Sequence, residues 1–348
     1  MTTLRLGNAP TVRRSTAARD QEVAAIKKQP APTIRLAHVD GAQGTCSLAG
    51  AKGQKKIPPS SAPALLVAYP YLKPWLARQR EYTYRDWALD SGAFSAWQSG
   101  DVIDLQAYIE ICKELKAKDP TLTDIFSLDV IGGAKAGVAH REAVRQSIRN
   151  AEAMWKAGVE AIPTFHLGEP EDALLHLAKS FPKIALGGLV RASHKVRMDW
   201  IRQCFARVWP KRIHGFGVAS EEYLQSFPFH SVDATNWEMG PCAYGRWASF
   251  GGAHVSVRGS TQNLRSEVEH YLRMERQARE RWVKEMAQLE SVGPSLRLSV
   301  AGTVDGRADS VLSKPGAIPA VRLSLDAKKR VGERTSKATH PPRKLLGG

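Results

Sequence analysis

Residues 184–218 read IALGGLVRASHKVRMDWIRQCFARVWPKRIHGFGV, in which two short apolar runs, Ile184–Leu189 and Ile213–Val218, flank a segment of helical period, Lys195–Val208. Short apolar runs suit buried strands, and the longer periodic segment suits a helix covering them. Strand, crossover helix and strand together form the unit from which parallel sheets are built. The same alternation extends in both directions. Further apolar runs lie at Ala64–Ala68, Trp87–Asp90, Ile125–Val130, Ala161–Phe165 and Ser231–Ala234, with helical segments at Leu105–Lys118, Arg141–Lys156, Pro170–Ser180 and Glu221–Ser226. With an eighth run near Trp247–Phe250, the pattern predicts an α/β fold of the (β/α)8 TIM-like barrel type, and an open doubly wound sheet fits nearly as well. Asn263–Leu289, free of Gly and Pro, reads as a long closing or surface helix.

The flanks differ in composition. Residues 1–63 are mostly polar and basic, with a Gly/Lys/Pro/Ser stretch at Leu48–Pro63 and a short possible strand at Thr33–Val39. Residues 294–348 are rich in Lys, Arg and Pro and hold no apolar period. Both are expected to be flexible, leaving 64–293 as the barrel domain with its long C-terminal helix.

The 348 residues are 43% hydrophobic, enough for one large core. Fifty Lys and Arg against 34 Asp and Glu give a formal charge of +16. Such an excess draws polyanions, so nucleic acid is the first expected partner, although much of the charge lies in the flanks. Cysteines at 46, 112, 204 and 242 form no CxxC or CxC pair, and no metal site is read from them. No apolar run reaches the ~20 residues of a membrane helix, and Met1–Asp20 has Arg5, Arg13, Arg14 and Arg19 but no apolar segment of a secretory signal. A cytoplasmic setting with no membrane partner is the expectation.

In a parallel barrel, functional groups gather where strands end and loops begin. Asp90 closes WALD, Asp129 closes IFSLD and Asp233 closes HSVD. Each alone also suits an N-cap or a turn. Three carboxylates on one rim would raise one another's pKa, letting one stay protonated while another is an ionised nucleophile. Glycines share that rim: Gly92, Gly132–Gly133, Gly187–Gly188, Gly215 and Gly217. They serve as tight turns or as bare backbone against a flat ligand. Phe94 suits either stacking on a base or core packing. His166 ends a strand and is a candidate pocket residue, whereas His214 reads as structural. Trp237 and Glu238 either line the rim or pack a loop.

These segments together resemble the tRNA-guanine transglycosylase family. DSGAFS at 90–95 is similar to the family's DSGGFQ-type segment, IALGGLV at 184–190 to its GGL base-recognition strand, IHGFGV at 213–218 to its GVG-type strand, and VDATNW at 232–237 falls where the family has FDCVxPTR. Order and spacing agree over about residues 64–260. The family's CxCxxC zinc cluster is missing, and TNW replaces PTR. Both departures resemble the deazapurine-in-DNA transglycosylases, often encoded by bacterial viruses, which would place the protein in a host cytoplasm.

The resemblance implies exchange of guanine in DNA for a free 7-deazaguanine base, without cofactor or metal. Asp233 would be the nucleophile, Asp90 the general acid and base, and Asp129 the reader of the base's donor edge. Ser91, Phe94, His166, Gly187, Gly188 and Leu189 would complete the base pocket. Alternatives are tRNA as substrate, a glycosidase in which water resolves the adduct, a barrel hydrolase acting on sugars, and a DNA-binding protein without catalysis. A homodimer is possible in each case.

Overall fold

The computed structural model describes residues 2–5, 32–37, 39, 62–132, 140–190, 192–240, 244–251, 253–254, 261–292 and 297–300. Its centre is a parallel sheet of eight strands: β1 (Thr33–Leu36), β2 (Ala64–Ala68), β3 (Trp87–Asp90), β4 (Leu122–Ile125), β5 (Thr164–His166), β6 (Lys183–Gly187), β7 (Arg212–Gly215) and β8 (Ser231–Ala234). Neighbours run β4-β3-β2-β1-β8-β7-β6-β5. The two outer strands meet just beyond their ends. Phe126 and Ile162 form a parallel bridge, Ser127 N–H donates to Ile162 O at 2.9 Å, and Ile162 N–H donates to Ile125 O at 2.8 Å. The sheet therefore curls into a TIM-like α/β barrel.

Helices follow the strands as the crossovers require: α1 (Leu72–Arg78), α2 (Ala93–Ser99), α3 (Leu105–Lys118), α4 (His140–Lys156), α5 (Glu171–Ser180), α6 (His194–Val208), α7 (Glu221–Ser226), α8 (Asn236–Met239) and α9 (Thr261–Val292). Local chemistry sets their ends. Asp104 caps α3 by accepting from Ala107 N–H at 2.7 Å, and Pro170 precedes the acidic first turn of α5, where negative charge suits the helix dipole. Each helix buries one stripe against the sheet, such as Tyr108, Ile109, Cys112 and Leu115 of α3. Cys112 and Cys204 are buried free thiols. Cys46 and Cys242 lie outside the described residues.

Inside the barrel, Ala37, Leu66, Ala88, Phe126, Ile162 and Ala185 form one buried layer with Phe216 against it. Three alanines make room for the two phenylalanine rings, whose centroids are 4.8 Å apart. Side chains alternate along a strand, so residues two positions away share this interior face. Below the layer stand Arg35, Asp86, Asp124 and Lys183. Above it stand Asp90, Gly187 and the register partner of Gly187, His166, while Asp233 is in register with Arg35 on β1.

The expectation of eight strands holds, but the eighth is not Trp247–Phe250. Among the described residues Arg246–Trp247 pairs with Ala253–His254 and not with the barrel sheet, because the chain passes through a 3-10 turn and reverses at Gly251 in the left-handed region. Trp247 is apolar because it is buried core, not because it is barrel strand. The missing strand is β1, which pairs with both β2 and β8, so the barrel begins ahead of residue 64. A clip from α9 holds it there. Glu275 accepts from Ile34 N–H at 2.8 Å, and Arg279 donates to Pro32 O at 3.0 Å and Thr33 Oγ1 at 3.2 Å.

A second adjustment concerns Ile125–Val130, expected as one strand. The strand is Leu122–Ile125, and its polar Thr123 and Asp124 obscured the pattern because Asp124 is an inward carboxylate paired with Arg35. In the flanks, Thr2–Arg5 pairs antiparallel with Arg297–Val300. The remainder of the basic tail, 301–348, lies outside the described residues. Among the described residues no helix is long and apolar enough to cross a membrane.

Candidate active site

The C-terminal rim of the barrel carries the candidate chemistry. Asp90 is the last residue of β3, and Gly92 N–H donates to its Oδ2 at 3.1 Å. That turn needs glycine: Gly92 has φ 71°, and a Cβ there would come within 2.3 Å of Pro70 Cδ. Burial, then the carboxylate of Asp129, then more weakly that of Asp233, push the Asp90 carboxyl up to about 7, against the pull of the Gly92 amide. The three aspartates therefore share one electrostatic neighbourhood, with Asp90 poised to hold or release a proton near neutrality.

Asp129 lies beyond β4, in the loop after Leu128. Ser91 Oγ donates to its Oδ1 at 3.4 Å, and His166 Nε2 meets its Oδ2 at 2.9 Å. His166, the last residue of β5, places its other ring nitrogen 3.0 Å from Glu169 Oε1, while its backbone N–H donates to Glu169 Oε2 at 3.0 Å. Burial alone would lower the imidazole pKa. The hydrogen bonds and charges of Asp129 and Glu169 outweigh it and raise it to about 10. His166 is thus an imidazolium gripped by two carboxylates. Glu169 was not foreseen from the sequence, although an acid three residues after a strand-terminal histidine in HLGE was a readable signal.

Gly187 and Gly188 keep space for this ring. A Cβ on Gly187 would lie 2.9 Å from Thr164 Cγ2 and 3.1 Å from His166 Cδ2, and Gly188 has φ 75° with its Cβ position 3.2 Å from His166 Cβ. Leu189 is buried. Gly132 is likewise tight against His140 and Ala143, while Gly133 lies outside the described residues.

Asp233, on β8, is 5% exposed. Gly217 N–H donates to its Oδ1 at 2.8 Å, and His214 Nε2 stands 3.6 Å from the same oxygen. Other candidates do not converge. Phe94 is 46% exposed on α2 and stacks on Trp97 at 6.0 Å. Trp237 is fully buried, and its Nε1–H donates to Ala37 O at 2.8 Å, which makes it loop packing that ties α8 to the end of β1. Among the described residues no three His, Cys, Asp or Glu side chains form a metal-binding group.

No family model matches the chain, and no curated protein matches it. Among solved structures, it is similar to that of "a putative fructose-1,6-biphosphate aldolase from Coccidioides immitis", at 12% identity and TM-score 0.39 over 81% of this chain and 99% of that one.

Proposed function

We propose that the protein is a DNA-guanine transglycosylase, an enzyme that replaces guanine in DNA with a 7-deazaguanine through a covalent Asp233 ester. The observation that carries this reading is the division of labour among the rim aspartates. Asp90 is held near pKa 7 by burial and by its acidic neighbours, whereas Asp233 is fixed by the Gly217 amide at the end of another strand. An acid beside a held nucleophile is what two-step displacement at an anomeric carbon requires.

The steps balance without an oxidant or a metal. Asp233 attacks C1′, the C1′–N9 bond breaks with its electron pair passing to the base, and the Asp90 carboxyl supplies the proton that lets guanine leave neutral. An incoming deazaguanine gives its N9 proton to Asp90, attacks C1′ and displaces Asp233. Two inversions retain configuration. Asp129, held by His166 and Ser91, offers the remaining lone pairs of its carboxylate to the N–H groups on the edge of a 6-oxopurine. The target base must leave the stack to reach this rim, and the exposed aromatic face of Phe94 offers it or a neighbour a stacking surface.

The test is incubation with guanine-labelled DNA and, separately, guanine-labelled tRNA, each with a panel of 7-deazaguanines, followed by mass spectrometry of released base and digested nucleosides. Exchange in DNA is the expected result. Exchange in tRNA would move the assignment to that substrate, release without replacement would indicate a glycosidase, and no release from either would leave a DNA-binding role.

A further inference from the structure

His214 has no part in the chemistry above, yet it stands directly beside the proposed nucleophile. It lies inside the barrel on β7, 2% exposed, with its ring against Phe126 and Phe216 at centroid distances of 4.6 Å each. Its Nδ1 is 2.8 Å from Ser231 Oγ, two residues before Asp233 on the same face of β8. Its Nε2 is buried without a hydrogen-bond partner and is aimed at Asp233 Oδ1 from 3.6 Å. Leaving a buried polar nitrogen unsatisfied is costly, so its position beside a carboxylate oxygen calls for an account.

Burial keeps the imidazole neutral, outweighing the nearby Asp233 carboxylate. A neutral ring has one N–H. When the Ser231 hydroxyl donates to Nδ1, the proton sits on Nε2 and points to Asp233 Oδ1, the tautomer a facing carboxylate favours.

We infer that His214 is a positioning residue: with the Gly217 amide it holds Asp233 Oδ1, so that Oδ2 is the oxygen that bonds to the sugar. This rests on the transglycosylase reading. In the first half-reaction Oδ2–C1′ forms as C1′–N9 breaks, and Oδ1 becomes the ester carbonyl. In the second, Oδ2–C1′ breaks, the electron pair returns to Asp233, and the carboxylate charge reappears between the two N–H donors. A contact that is long in the resting enzyme tightens as that charge develops. His214 therefore assists departure of Asp233 more than its attack.

The experiment is rapid-quench kinetics on guanine-labelled DNA, comparing wild type with His214→Met, which keeps an apolar filling but no N–H, and His214→Gln, which keeps one. Adduct formation, adduct resolution by a deazaguanine and thermal unfolding are each measured. Expected is a roughly 10- to 100-fold slower resolution in His214→Met, with accumulating adduct, little change in formation and partial recovery in His214→Gln. Equal slowing of both halves, no slowing, or no recovery would overturn the inference. If His214→Met does not fold, Ser231→Ala, which removes the donor to Nδ1, is expected to accumulate adduct in the same way, and unchanged resolution there overturns it equally. If wild type forms no adduct, or Asp233→Asn still forms one, the transglycosylase reading itself fails and takes this inference with it.

Discussion

The two ends of the barrel treat aspartate in opposite ways. At the N-terminal end Arg35 reaches Asp86 at 2.7 Å and Asp124 at 2.6 Å, and Lys183 closes on Asp124 at 2.5 Å. Burial there favours the neutral acids, but these cations overcome it and hold both carboxyls below their usual range. At the C-terminal end Asp90 meets two further carboxylates and is pushed up to about 7. Matched charge at one end makes a plug, and unmatched charge at the other leaves a proton available for chemistry. The difference teaches that burial alone does not mark a functional acid; the sign of its neighbours does.

The strongest way to break the comparison is to remove one charged group from each end. Asp233→Asn is expected to lower guanine release by at least ~1000-fold while leaving thermal unfolding near wild type, since an amide can still accept from Gly217. Retained activity with a collapsed fold would reverse the assignment of ends. The companion change is Arg35→Met, which removes the cation shared by Asp86 and Asp124 and leaves Asp86 to Arg85 and Asp124 to Lys183. Chemical denaturation should show a loss of about 1.5–3 kcal/mol, less than full orphaning of a buried charge because each carboxylate keeps one cation.

How much of this contrast was legible beforehand depended on polarity. The upper aspartates were readable because each follows an apolar run, as in WALD and HSVD. The lower pair was not, because Arg35 and Asp124 interrupt the apolar runs of β1 and β4, and an inward charge is recognised only once its partner, ~90 residues away, is known. That same interruption hid β1 as a barrel strand and shifted the reading of β4 from Leu122–Ile125 to Ile125–Val130. Glu169 was missed for a related reason: it depends on a partner whose orientation no spacing specifies.

Titration sharpens the comparison with a smaller effect. A folded-state pKa of about 7 against an ordinary 3.8 means that the native state keeps the Asp90 proton after the unfolded chain has lost it. Asp90 therefore costs stability progressively as pH rises from about 4 to 7, by roughly 4 kcal/mol, with no further change above that window. Asp90→Asn should remove this slope, which unfolding curves between pH 4 and 8 would reveal. The same group should make base departure in the wild type fall above pH 7. His166 has the same sign in a higher window: its raised pKa contributes stability that is complete below 6.5 and is lost as pH climbs towards 10, so Glu169→Gln should flatten the alkaline limb of the unfolding curve.

The smallest expected change is at the mouth. Phe94→Ala should weaken DNA binding by about 1–3 kcal/mol if the ring stacks on a base, read as a higher KM with kcat nearly constant. Equal affinity in wild type and variant would confine base recognition to the barrel's interior.

The position of β1 has a consequence for how the molecule comes into being. The strand made first is flanked by β2 and by β8, the strand made last, so Thr33 must wait for Ser231, ~200 residues later, before its second edge is covered. Glu275 and Arg279, which clasp it, are synthesised later still. During translation the nascent sheet is an open ribbon with a vacant margin, and the ring closes only after Ser231–Ala234, Glu275 and Arg279 have been made. Cotranslational folding can build the strand–helix units in sequence, but the circle itself is sealed at the end, by a helix reaching back to where the barrel began.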